Sequence, residues 1–187
     1  MFENLIPDRP VKTYLLVLAT VFTAGFLAGI VAPVPVRNEL TEAFRALAEE
    51  YVDLTGGTLF LFILVNNVFA SLLLVISGLL LGILPVLSVG FNGFVLGLFC
   101  RLTSGAQGYG RAALGLLPHG IFEIPALLLA ASYGVWLGMA VLRRVRRKET
   151  PPLGYMLNHA LERYFAVVFP LLVVAAAVET SIILWAL

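Results

Sequence analysis

From Leu54 to Cys100 the chain carries no Asp, Glu, Lys or Arg, a run of 47 positions dominated by apolar side chains. At ~1.5 Å per residue one helix of that length would reach roughly 70 Å, more than twice the ~30 Å hydrocarbon core of a bilayer. The run must cross, turn and cross back. The same pattern along the rest of the chain predicts five spans, at about 14–32, 58–83, 84–100, 112–142 and 165–187. Pro85 marks the turn between the second and third, because it interrupts helical hydrogen bonding.

Two further segments show a helical period without the length to span. Leu40, Phe44, Leu47, Tyr51 and Leu54 recur every three or four residues, with acidic side chains on the other faces. This predicts an amphipathic surface helix over 38–54, with Asn38 as its N-cap and Gly56-Gly57 as its stop. After Pro151-Pro152, the positions Leu153, Met156, Leu157, Ala160, Leu161 and Tyr164 mark one face of a second surface helix, 153–164, leading into the last span.

Composition agrees: 60% hydrophobic, 12% charged, mean hydropathy +0.99. The expected fold class is an all-α polytopic membrane protein, one membrane domain over 1–187 whose first partner is the lipid bilayer. The apolar stretch after Arg9 and Lys12 is longer than a signal peptide's core, which predicts a retained first helix. A net charge of +1 gives no reason to expect a nucleic-acid partner. The lone Cys100 offers no disulfide and no ligand spacing, so no metal or cofactor is expected.

Charge distribution sets the orientation. Arg143, Arg144, Arg146, Arg147 and Lys148 follow the fourth span, and such clusters remain cytoplasmic. Alternation then places the N-terminus and 143–164 in the cytoplasm of a cell-membrane protein. The 33–57 segment, the 101–111 loop and the C-terminus fall outside. Eight Lys/Arg lie inside (9, 12, 143, 144, 146, 147, 148, 163) against four outside (37, 45, 101, 111). The basic cluster could also meet anionic headgroups.

The 112–142 region is too long for one upright span and is interrupted by Pro118, Gly120 and Pro125. This predicts a short half-helix to Leu117, an unwound or re-entrant turn, and a full helix from about Ile124 with Pro125 in its first turn. His119 and Glu123 fall in the break, four residues apart. An ionisable side chain at membrane depth must pair, protonate or meet water. The pair reads either as a proton- or solute-handling site or as a hydrogen-bonded helix cap. Asn66, Asn67 and Asn92 add polar groups to the central spans, and Glu179 lies near the outer end of the last. Singly, each Asn reads equally as helix–helix glue. Four GxxxG pairs, Gly25/Gly29, Gly78/Gly82, Gly93/Gly97 and Gly134/Gly138, favour close helix approach, within one subunit or in a homodimer.

The Asn66-Asn67 pair, the passage Asn92-Gly93-Phe94-Val95-Leu96-Gly97 and the string Leu117-Pro118-His119-Gly120-Ile121-Phe122-Glu123-Ile124-Pro125 resemble the stage II sporulation protein M family of integral membrane proteins. The resemblance covers roughly 55–140 and implies a small all-helical membrane protein. The family's namesake belongs to a complex that organises cell-wall hydrolases during spore engulfment.

Three functions remain. An oligomeric channel or transporter, for a small solute or ion, explains the broken helix and the cluster Asn66, Asn67, Asn92, His119 and Glu123. A scaffold, organising an unidentified membrane or envelope partner, explains the small size and surface helices. An intramembrane enzyme lacks a nucleophile or metal set, and no GxSxG, HExxH, Walker or dinucleotide motif occurs. The expectation is a non-enzymatic homodimer with a transport-like pathway.

Overall fold

A computed structural model describes residues 9–49, 56–107, 119–148 and 151–186. Among these the chain is helical throughout its ordered elements, with no strand. Five stretches are long and apolar enough to cross a membrane: Pro10–Ile30, Gly56–Ser77, Ile83–Thr103, Gly120–Val145 and Leu153–Trp185. They belong to α1 (Arg9–Ile30), α3 (Gly56–Ser77), α4 (Ile83–Gln107), α5 (Ile124–Val145) with a preceding π-helical turn (His119–Glu123), and the last three elements together. Those three are α6 (Leu153–Arg163), a π-helical turn (Tyr164–Val168) and α7 (Phe169–Ala186). The remaining helix, α2 (Val34–Glu49), follows the first span and makes at most marginal contact with the other described helices.

The central helix is α5. Half of its membrane window is buried in protein, against 11% for α1, so α5 is the element the others pack around. Its Ala126, Ala130, Tyr133, Leu137 and Ala140 meet Met156, Ala160 and Tyr164 in one core cluster. On another face, Leu128 and Ala131 join Leu18 of α1, Leu74 of α3 and Val89 of α4. Leu16, Phe69, Leu87 and Trp185 project outward, as the lipid-facing positions of a membrane bundle must.

Lipid tails are as apolar as leucine, so helices in a bilayer associate through close packing rather than through burial from water. The glycines supply that closeness. A methyl placed on Gly25 would run into the Gly90 carbonyl, one on Gly29 into Phe94, and those on Gly93 and Gly97 into Phe22 and Phe26. Contact positions rise together along α1 and α4, so these two helices run parallel. A methyl on Gly78 would strike Gly134, and one on Gly138 would strike the Gly82 backbone. All four GxxxG pairs are thus used inside the subunit, two against two.

Three local expectations are corrected. The surface helix begins at Val34, four residues before the sequence placed it, with Arg37 N donating to Pro33 O at 3.1 Å. Pro35 sits in the first turn, where its missing N–H costs nothing, and Asn38 lies within the helix rather than capping it. Gly56, at φ +53°, is the first residue of α3; the segment in which the surface helix was expected to end, with Tyr51 and Leu54, lies outside the described residues. The turn between the second and third spans is made by residues 78–82, with Leu81 and Gly82 left-handed at φ 61° and 73°. Pro85 is instead a fully buried residue in the first turn of α4.

The segment 153–164 is likewise not a separate surface helix. It runs without a break through the Tyr164–Val168 turn into α7, as one apolar stretch of 33 residues. Its apolar face, Met156, Ala160 and Tyr164, is buried among the α5 side chains instead of facing lipid. At the cytoplasmic end predicted by charge, α5 closes with a Schellman motif: Arg147 N donates to Arg144 O and Lys148 N to Arg143 O, with Arg147 left-handed at φ 54°.

Candidate functional site

Helical spacing puts polar residues of α3 on one face: Asn66, Ala70, Leu73 and Ser77 follow at intervals of four, three and four, with Asn67, Ser71 and Leu74 beside them. On α4, Leu84, Ser88 and Asn92 form a second stripe at intervals of four. The two stripes face a common cavity of about 420 Å³, whose wall is completed by Glu123 and Leu127 at the start of α5 and by Leu172 of α7. The α3–α4 turn is pinned on α5 by the Gly78 and Gly82 contacts, while α3 and α4 make little contact along their length. The cavity occupies the space between them.

Its depth follows from position. Asn66 and Asn67 are the eleventh and twelfth residues of a 22-residue span, and Asn92 is the tenth of the 21 from Ile83 to Thr103. All three lie near the bilayer centre. Asn66 and Asn92 are exposed side chains, so the cavity opens laterally between α3 and α4. An exposed carboxamide against hydrocarbon would leave its polar atoms unsatisfied at a cost of several kcal/mol. This opening therefore meets water or protein in the membrane.

Hydrogen bonds within each helix use the donors first. Asn92 Nδ2 donates to Ser88 O at 2.8 Å, and Ser71 Oγ donates to Asn67 O at 2.6 Å. Asn66 Nδ2 reaches Asn67 Oδ1 only at 3.5 Å, the weak limit of such a bond. Beside the cavity, the Tyr164 hydroxyl lies 2.8 Å from Ser71 Oγ and 3.2 Å from Val68 O, and its single proton serves the nearer acceptor, Ser71, whose own proton goes to Asn67 O. Tyr164 is fully buried and opens the second π-helical turn. The wider turn holds this hydroxyl against the α3 backbone, tying the last span to one wall of the cavity.

Of the residues singled out from sequence, Asn66, Asn67, Asn92 and Glu123 line this one cavity. Glu123 ends the first π-helical turn and precedes α5 in helical conformation, with Pro125 in the first turn of α5. Gly120 is exposed in the same turn. The backbone of His119 opens the turn, but its side chain, Pro118 and the expected half-helix before it lie outside the described residues. The described part, from His119 on, is continuous helix. The sequence pattern names Tyr164 only as part of an apolar face and does not single out Ser71, Ser77 or Ser88, although Ser71 and Ser88 stand four residues from Asn67 and Asn92, a spacing that points to them.

The other polar groups stand elsewhere. His159 of α6 places its ring 5.8 Å from Trp136, which in turn meets Tyr133 edge-on at 6.3 Å. Thr180 of α7 is buried, beside the half-buried Glu179. Among the described residues no three His, Cys, Asp or Glu side chains gather as a metal site would require.

A family model described as stage II sporulation protein M matches residues 17–182, most of the chain. No curated protein and no solved structure matches the sequence.

Proposed function

This chain belongs to the stage II sporulation protein M family, and from that premise we propose that it forms a membrane pathway for a small polar solute or ion, assembled as a homodimer. One observation carries the reading: α3, α4 and the turn before α5 bring three asparagines, three serines and one glutamate to a single cavity at mid-membrane depth. Polar groups so placed are costly in lipid and are rewarded when they line a hydrated route. A second copy closing over the lateral opening between α3 and α4 would keep Asn66 and Asn92 from hydrocarbon. The reading assigns no covalent chemistry to the protein and places it in the cell membrane, with the basic end of α5, residues 143–148, in the cytoplasm.

The scaffold reading has its own support in α2, which stands off the bundle with mostly exposed side chains among those described and could engage a partner outside the membrane. Flux separates the two. Purified protein in sealed vesicles is assayed against a panel of small polar solutes and ions, alongside Glu123→Gln and Asn92→Leu. A pathway through the cavity predicts flux of at least one panel member, reduced at least roughly tenfold by either change with folding intact, equivalent to about 1.4 kcal/mol of barrier. Equal flux of that solute in all three proteins would remove the cavity from any transport route.

A further inference from the structure

The basic end of the bundle has no part in the pathway reading. Arg143, Arg144, Arg146, Arg147 and Lys148 are all exposed, in the last turn of α5 and the cap that follows it. That cap is closed by backbone alone: the N–H groups of Arg146, Arg147 and Lys148 bond to the carbonyls of Leu142, Arg144 and Arg143. The guanidinium groups are therefore not needed to end the helix.

Packing enlarges the cluster. Leu18 of α1 shares a core cluster with Leu128 and Ala131 of α5. Seven residues earlier, Val11 is buried with Leu137 and Ala140 of α5 and Met156 of α6. The two helices are thus antiparallel, and the first turn of α1, with its exposed Lys12, meets the basic end of α5. Residues 8–12 and 143–149 together hold seven Lys or Arg against two acidic residues. No Asp or Glu occurs in 78–82 or 151–161, the other segments at this end. The positive charge is concentrated, and its neighbours do not balance it.

Depth identifies the partner. Val145 is the last residue of the apolar stretch Gly120–Val145, so the basic residues around it stand where hydrocarbon gives way to headgroups. Val145 itself and Tyr155, at the start of α6, are exposed at the same end. An apolar and an aromatic side chain beside cations suit a lipid surface, where rings and long basic side chains settle at headgroup level. Four of the five cations in 143–148 are arginines, whose planar forks match phosphate oxygens in pairs. An acidic protein or a nucleic acid would have to compete there with the phosphates of the membrane itself.

We infer that the exposed cations at the end of α5, Arg143, Arg144, Arg146, Arg147 and Lys148, together with Lys12 of α1, form a binding site for the headgroup of an anionic phospholipid. The site is independent of the cavity and of any transport. A basic cluster that served orientation alone would act during insertion and show no preference between lipids afterwards.

The purified full chain in neutral detergent is titrated with phosphatidylglycerol or phosphatidylcholine of matched acyl chains, and bound lipid is counted by native mass spectrometry. The expected result is saturable binding of phosphatidylglycerol at concentrations where phosphatidylcholine stays free, weakened as added salt screens the contact. Lys12→Gln and Arg144→Gln should each weaken it roughly fivefold, the effect of one basic residue near a charged lipid surface. Arg101→Gln, which removes an exposed cation near the far end of α4, should leave binding unchanged. Lys12→Gln keeps the whole 143–148 cluster, so it remains informative if Arg144→Gln fails to fold. Equal binding of the two lipids would overturn the inference, as would the same loss in Arg101→Gln as in Lys12→Gln. So would capture of a poly-glutamate peptide in preference to phosphatidylglycerol, which would assign the surface to an acidic protein partner.

Discussion

Tyr164 illustrates how one buried hydroxyl can be assigned a measurable worth. It is fully enclosed, bonded to Ser71 across two helices, and within reach of the Val68 carbonyl. Tyr164→Phe removes the hydroxyl but keeps the ring, so the expected loss is about 0.6–1.5 kcal/mol, the range for a hydrogen bond in a membrane or soluble interior. Tyr164→Ala also leaves a cavity and should cost about 3–5 kcal/mol. Unfolding in mixed micelles by graded denaturing detergent gives both values. Ser71→Ala combined with Tyr164→Phe should cost less than the sum of the two, because both delete the same bond. Strict additivity would show that the two hydroxyls do not interact. Asn92 contrasts with this pair: its hydrogen bond is to Ser88 O of its own helix, so Asn92→Ala should cost under about 1 kcal/mol of stability.

At the level of elements, the bundle depends on two glycine interlocks, α1 on α4 and the α3–α4 turn on α5. Gly29 and Gly78 face backbone atoms of the neighbouring helix, which cannot rotate away as a side chain would. Gly29→Val and Gly78→Val should therefore separate the helices and destabilise by more than about 3 kcal/mol, in the range of severe packing faults. Gly57 and Gly154 have open space where a methyl would lie. At Gly154, within α6, alanine should be neutral or stabilising by up to about 1 kcal/mol, since it limits the unfolded chain and favours helix. The same detergent titration ranks all of these. A mild effect at Gly29 or Gly78, comparable to Gly154→Ala, would contradict the interlock.

For the whole molecule, charge and continuity make a joint prediction about sidedness. The exposed basic end of α5, residues 143–148, belongs in the cytoplasm, and α2 belongs outside. In a Cys100→Ser background, a cysteine at Lys148 should react with an impermeant reagent only from the cytoplasmic face, and one at Glu42 only from the opposite face. Reversed labelling of either would overturn the topology. Self-association now rests on a different surface from the one the sequence suggested. With every GxxxG pair occupied within the subunit, the lateral opening at Asn66 and Asn92 becomes the expected dimer contact. Mass measurement in nanodiscs should give about twice the monomer mass. Asn66→Trp, which fills that opening, should shift it toward one.

The number of spans and the all-helical class were legible in sequence because hydrocarbon allows few alternatives: a 47-residue uncharged run can only be folded back on itself. The change of helical geometry just before Ile124 was legible for a similarly local reason, since Pro125 has no N–H for an α-helical bond, although the residues ahead of it wind as a π-helical turn instead of unwinding. The amphipathic face of 153–164 was legible too, but not what covers it, because lipid interface and a neighbouring helix demand the same apolar stripe. Periodicity likewise identified the small residues without saying which helices they join. Only the tertiary structure paired Gly29 with α4 and Gly78 with α5, and in doing so held α3 and α4 apart so that Asn66, Asn67, Asn92 and Glu123 line one cavity. Solvent preference acts on each segment alone and is written in its composition. Convergence of side chains from four helices depends on contacts far apart in the chain, and those were settled by packing.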